Sequence, residues 1–367
     1  MRIRVLGGGL LLILIVAGAV GLTAGHGSPS GLARSSQVTG PAPRPTVLTR
    51  LPHATLADGT ARLVIRLSGL VAPGSPAPTL APAVAGRWAA GGRLETFTPA
   101  STLQPCTDYR LTIGSRTQAV GRSPLGRRRV VRFAVACPSI GAAQRALARL
   151  RYLPYRFEPD LPTGTAGGPE PQAAAARAAF RPPPGTFQAR IFAAPALAAG
   201  QLDAITRGAL IVFQTDHNLT PSGTADAATW ASLIGARAAG LADPAPYTFV
   251  TVSQAIPQTL EVHRGNRVVL TSPVNTGVAG APTANGVFPI FERFTSTTMT
   301  GTNPDGSHYS DPGVPWVNYF NGGDAVHGFV RASYGTPQSD GCVELPPATA
   351  AAVYPMLALG DVVAVSG

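Results

Sequence analysis

The sequence contains no lysine; all 29 of its basic residues are arginine, a compositional bias and not a mechanism. Charged residues are only 13% of the chain, and the arginines are spread along it, with one run at Arg127-Arg128-Arg129 and no interleaved aromatics. A nucleic-acid-binding chain gathers its basic residues on one stripe or helix, so this distribution argues against a nucleic-acid partner. The net charge of +11 fits attraction to an anionic cell envelope, or a solvated basic surface with no partner. Metal ligands are scarce too. The chain has six histidines and three cysteines, and His308 with His327 alone do not supply the closely spaced ligands of a zinc site. No metal and no cofactor is expected. Disorder is excluded, because 45% of the residues are hydrophobic. At 367 residues the chain has room for two or three domains.

What is present starts with an apolar stretch, Val5 to Gly25, behind Arg2 and Arg4. That length suffices to span a bilayer, and the preceding positive charge predicts that the start stays inside. Residues 1–27 are therefore expected to be a signal anchor or a signal peptide, which ties the chain to the cell membrane or exports it. No cysteine follows directly, which excludes lipid attachment there. The bulk of the chain is then extracytoplasmic, where thiols pair. Cys106 and Cys137 fall in one predicted β domain and are placed to pair. Cys342 is left over, either as a reactive thiol or as a buried inert one.

Residues 28–50 are rich in Gly, Ser, Pro and Ala and read as a linker. Over residues 51–137, "ARLVIRLSG", "GRLETFTPA", "DYRLTIGS" and "RVVRFAVAC" alternate apolar and polar residues between Gly- and Pro-rich turns. That pattern predicts a β-sandwich. It resembles the immunoglobulin-like modules placed before catalytic domains in wall enzymes. Helical spacing follows in "SIGAAQRALARLRYLP" and again around Leu202, Ile205, Ala209 and Phe213. Phe213, Gln214, Leu219, Gly223, Thr229 and Trp230 resemble, in order, the second half of a three-helix peptidoglycan-binding domain. Residues 138–240 are read as such a domain, with an insertion between its halves. Residues 246–367 read as mostly β, with a hairpin turn at Arg264-Gly265-Asn266, one helix after Cys342, and "DVVAVSG" as a last strand.

A thiolate nucleophile needs a base for its proton and donors for the oxyanion it creates. Of the histidines, His327 lies in "GGDAVHGFVRASYG", close enough before Cys342 for a β-loop-β return to join the two. Gly341 permits a tight turn whose N–H groups can face an oxyanion. "AVHGF" followed by "SDGCVEL" resembles the catalytic domain of the L,D-transpeptidases, the YkuD domain, and "APTANGVF" loosely matches an earlier loop of that family. The resemblance implies Cys342 as nucleophile, His327 as base held by the carbonyl of Gly328, an oxyanion hole around Gly341, and Ser339 bracing an exposed turn. Two positions depart from the family. Asp340 replaces a motif histidine and is expected to raise the thiol pKa, and Glu344 stands where arginine or asparagine is common. Asp340, Glu344, Tyr319 and Phe329 are the candidate substrate-binding residues. A sortase would need an arginine after its cysteine, and none follows Cys342. An NlpC-type peptidase places cysteine before histidine.

The resemblance thus implies a multidomain cell-envelope enzyme. It would join peptidoglycan stem peptides through a cysteine thioester and be inhibited covalently by carbapenems. The alternative is a wall-binding scaffold whose catalytic domain is retired.

Overall fold

In a computed structural model of the chain, residues 44–47, 55–56, 63–157, 180–181 and 198–367 are described. The expected signal segment, most of the linker and most of the helical domain's insertion lie outside them. No described helix is long and apolar enough to cross a membrane. The chain divides into two compact units, Met1–Cys137 and Pro138–Gly367.

The first unit contains β1 (Thr55–Leu56), β2 (Leu63–Arg66), β3 (Thr79–Ala81), β4 (Gly86–Gly91), β5 (Leu94–Pro99), β6 (Thr107–Ile113) and β7 (Arg129–Val135). They form two sheets, ordered β1-β7-β6-β3 and β2-β5-β4. Alternation sends Tyr109, Leu111 and Ile113 of β6 inward, against Leu63, Ile65 and Phe97 of the other sheet. A disulfide joins Cys106 to Cys137 across a separation of 31 residues. On the loop-entropy account it stabilises the unit by roughly 3–4 kcal/mol.

The second unit opens with α1 (Ile140–Arg149), the short pair β8 (Arg156–Phe157) and β9 (Phe180–Arg181), α2 (Ala204–Asp216) and α3 (Ala227–Ala238). Each helix starts on a side-chain cap: Ser139, Asp203 and Asp226 accept from the N–H groups of Ala142, Thr206 and Thr229. Two buried glutamines tie the loops to the helices. Gln214 donates to Ser222, Thr224 and Thr229 and accepts from the Gly223 N–H. Gln144 does the same for residues 198–206. The aromatic–Gln pair in the sequence is therefore a core ring, Phe213, beside a fully satisfied loop anchor.

The rest is β10 (Thr248–Ser253), β11 (Thr259–Arg264), β12 (Arg267–Pro273), β13 (Gly286–Pro289), β14 (Glu292–Thr302), β15 (His308–Asn321), β16 (Asp324–Gly328), β17 (Val343–Leu345), α4 (Pro347–Val353) and β18 (Val362–Ser366). Two sheets, β12-β11-β10-β18-β13 and β14-β15-β16-β17, enclose one core of Val250, Leu260, Val262, Phe320, Val326, Val343 and Leu345. Gly265, with φ 58°, turns the hairpin at the expected place. The last strand lies parallel to β10 and antiparallel to β13. Helix α2 docks on this layer through Gly208, where a Cβ would meet the Gly360 carbonyl oxygen at 2.4 Å.

That contact yields a paired prediction. Gly208→Ala forces backbone apart, at about 1–3 kcal/mol for overpacking, which outweighs the gain in helix propensity. Gly235→Ala on α3, where a Cβ meets nothing within 4 Å, gains about 0.5–1 kcal/mol. Thermal unfolding of the two variants should shift in opposite directions; a higher midpoint for Gly208→Ala would contradict the docking.

Candidate active site

The site begins with a tight turn. Asn321 pairs with Asp324 across Gly322-Gly323, and Asn321 Nδ2 donates to Asp324 Oδ2 at 3.1 Å. β16 runs from this turn and pairs in parallel with β17, His327 opposite Glu344 and Val326 opposite Val343. Side chains alternate along both strands. Val326, Val343 and Leu345 therefore enter the core, whereas Ala325, His327, Cys342 and Glu344 share the other face. Cys342 immediately precedes β17. Strand spacing and rise put the Cα atoms of His327 and Cys342 about 8 Å apart, within reach of the two side chains.

Buried polar side chains hold the loop that delivers Cys342. The Thr283 hydroxyl donates to the Gly341 carbonyl at 2.7 Å and accepts from the Gly277 N–H at 2.8 Å. Ser339 Oγ donates to the Cys342 carbonyl at 2.5 Å. The Asn275 backbone exchanges bonds of 3.0 and 2.9 Å with Glu344, and its side chain accepts from Gly335 N and donates to Ser333 O, both at 3.1 Å. Gly341 has φ 111°, and a Cβ there would meet Asp324 Oδ1 at 2.4 Å. Both the turn and its packing therefore require glycine.

His327 is 3% exposed, with Nδ1 at 3.0 Å from the Gly328 carbonyl. A carbonyl only accepts, so Nδ1 carries the proton and Nε2 keeps its lone pair. Burial lowers the imidazole below its usual 6.5. Cys342 is half-buried, which corrects the expected exposed turn; it packs with Tyr309 and Tyr319 against a cluster containing Ala325. Its Sγ lies 3.7 Å from the Gly323 carbonyl, which it donates to. Burial pushes the thiol up to about 12, and the carboxylates of Asp324, Glu344 and Asp340 add to this in that order, against the Ala325 N–H. The resting pair is therefore a neutral thiol beside a neutral imidazole.

The remaining candidates separate by position. Asp340 is exposed. Glu344 is buried and holds Arg331 in a fork, Nε to Oε2 at 2.8 Å and Nη2 to Oε1 at 2.7 Å. The Arg331 guanidinium also donates to the Gln338 carbonyl and lies over the Phe329 ring at 4.7 Å. Phe329 in turn stands edge-on to His327 at 6.0 Å. An arginine thus flanks the site from position 331 and not from 344. Tyr319 contacts Phe294 edge-on at 6.2 Å on the thiol side of the sheet. Asp324, Thr283, Asn275 and Arg331 were not singled out in the sequence. Thr283 lies inside the quoted "APTANGVF", and Asp324 and Arg331 inside "GGDAVHGFVRASYG", but none of the four carries a local pattern that assigns it a role.

Residues 247–365 match the family model of the L,D-transpeptidase catalytic domain, YkuD, and residues 192–233 match that of a peptidoglycan binding domain. No curated protein matches the chain. Among solved structures, an Enterococcus faecium L,D-transpeptidase mutant is 22% identical over 34% of this chain and 52% of its own, with a TM-score of 0.31. The E. faecium catalytic domain acylated by ertapenem is 25% identical over 33% of this chain and 98% of its own, with a TM-score of 0.30. An L,D-transpeptidase from Mycobacterium smegmatis is 14% identical over 89% of this chain and 100% of its own, with a TM-score of 0.30. The chain spans about half the length of the first two structures it matches, 49% and 52%.

The order of the carboxylates is testable. Removing a negative charge lowers a thiol pKa, so Asp324→Asn should speed alkylation of Cys342 at fixed pH more than Asp340→Asn does. The pH dependence of iodoacetamide labelling measures both. An equal or larger effect at Asp340 would contradict the geometry.

Proposed function

We propose that this chain, given its L,D-transpeptidase catalytic domain at residues 247–365, is a cell-envelope enzyme that crosslinks peptidoglycan stem peptides through a thioester on Cys342. His327 Nε2 takes the thiol proton as Sγ attacks the carbonyl of the L-configured centre of a diamino acid in a stem tetrapeptide. The carbonyl oxygen becomes an oxyanion, received by the N–H groups around Gly341 and Cys342. The bond to the terminal D-alanine breaks, its amine leaves with the proton from His327, and the thioester remains. The amine of a second stem then attacks the thioester, its proton passes to His327, and the thiolate departs. Acyl energy is conserved, so no nucleotide is consumed.

The observation that supports this most is the placement of His327 and Cys342 on one face of β16 and β17, with His327 Nδ1 bound to the Gly328 carbonyl. Because the thiol rests protonated, attack depends on a neighbouring base. The helical domain at 138–240 would hold wall glycan or peptide, and the two-sheet module at 51–137 would act as an immunoglobulin-like spacer behind an anchor or export signal at 1–27. A carbapenem offers a strained carbonyl to the same sulfur and is proposed to acylate it. The three carboxylates near Cys342 favour one rival reading, a retired catalytic domain on a wall-binding scaffold.

Incubation with a defined tetrapeptide dimer and mass analysis of products and protein separates the readings. A crosslinked product with a transient adduct on Cys342 is expected, and Cys342→Ala should form neither. His327→Ala should retain the thiol while acylation falls by about 10²–10⁴. A wild-type chain that never forms an adduct is the scaffold, and equal acylation by His327→Ala would remove His327 from the mechanism.

A further inference from the structure

The loop that follows β16 has no regular structure, yet it is held at several points. Tyr334 Oη donates to the Phe329 carbonyl at 2.6 Å and accepts from the Arg331 N–H at 3.2 Å. Asn275 Nδ2 and Gln338 Nε2 both donate to the Ser333 carbonyl at 3.1 Å. The Arg331 guanidinium is fixed in turn. Nε and Nη2 take the two oxygens of Glu344, Nη2 also donates to the Gln338 carbonyl at 3.1 Å, and the central carbon lies 4.7 Å from the Phe329 ring centre.

A guanidinium has five N–H donors, and these bonds use three. The two on Nη1 meet no acceptor among the described residues. Nη1 is nevertheless not one of the buried unbonded atoms, and the side chain is 30% exposed. The spare donors therefore reach solvent, where a ligand can meet them. They do so beside the reacting pair. Glu344 stands opposite His327 in the strand register, and the Phe329 ring under the guanidinium is edge-on to the imidazole at 6.0 Å. The charges that act on His327 and Cys342 are those of Asp311, Asp324, Asp340, Glu344 and Arg331. Arg331 is the one cation in that set, so an anionic substrate meets repulsion there unless it engages this residue.

We propose that Arg331 selects the donor at the Cys342 site, with Nη1 donating to the terminal carboxylate of the stem peptide. This rests on the crosslinking reading, which makes that carboxylate the one on the leaving D-alanine, roughly 3.6 Å beyond the carbonyl that Sγ attacks. A charge-assisted bond of this kind is roughly twice as strong as a neutral one, so a carboxamide in the same place binds less well. The fork to Glu344 takes up part of the positive charge. It also fixes the guanidinium in advance, so that little side-chain freedom is lost on binding.

The test reads occupancy at Cys342 itself, in the full chain. In the His327→Ala background, where acylation is slow, a tetrapeptide with a free C-terminal carboxylate and the same peptide as its carboxamide are each set to protect Cys342 from iodoacetamide. The free acid should protect at a concentration lower by about tenfold or more. Arg331→Gln combined with Glu344→Gln, which leaves no buried carboxylate unpaired, should remove that difference. Arg331→Lys, which keeps a cation beside Glu344 without the spare donors of the fork, should narrow it. An Arg331 that only neutralises Glu344 would leave acid and amide alike in every chain. Equal protection by the two peptides, protection by neither, or a difference that survives the double substitution overturns the proposal. If the chain with His327 intact shows acid-selective protection but never forms a thioester, the crosslinking reading fails and this recognition stands. If the thioester forms while the two peptides protect equally, the reading stands and the proposal fails.

Discussion

A parallel pairing only three residues long, β16 against β17, sets most of what the catalytic domain can do. It puts His327 and Cys342 on one face and buries Val326, Val343 and Leu345 on the other. A slip by one residue would exchange those faces. Three registered pairs are too few to fix this alone, so the register is pinned from outside. Asn275 clamps Glu344 through both backbone groups. Thr283 and Ser339 hold the carbonyls of Gly341 and Cys342, the two on either side of the Cys342 Cα. Asp324 fills the space where any side chain at 341 would stand. These buried polar groups satisfy one another, and partial removal leaves an unpaired group with a desolvation cost of about 1–3 kcal/mol.

The same enclosure governs the chemistry. Burial of Cys342 disfavours its thiolate, and burial of His327 disfavours its imidazolium. The pair is thus uncharged at rest. Glu344 would be a further liability beside the thiol, but Arg331 neutralises it with a two-point fork and stacks on Phe329. A negative charge at 344 is thereby converted into a scaffold for a positive one.

Much of this was legible in the chain, for definable reasons. Local signals survive folding: the period-two strands of the first unit, the hairpin at Gly265 and the final strand over 362–366 all follow from short stretches. The histidine and cysteine could be paired because glycines bracket them. What escaped depends on contacts distant in sequence. Asn275 and Thr283 reach the Cys342 loop from about 60 residues away. Arg331 gains meaning only when the loop folds it back onto Glu344. Asp324 drew no attention in the sequence, yet its carboxyl stands against Gly341, ahead of the more conspicuous Asp340. The parallel contact between β10 and β18 joins the two ends of the domain, and nothing local announces it.

The central claim is that a neutral His327, protonated on Nδ1 by its bond to Gly328 and free on Nε2, is the resting base. Nitrogen-15 NMR of the imidazole across a pH titration reads this directly. The account predicts a protonated Nδ1 and an unprotonated Nε2 at neutral pH, with the second proton arriving only below the ordinary histidine value of 6.5. An Nε2-protonated ring, or an imidazolium persisting at neutral pH, would contradict it.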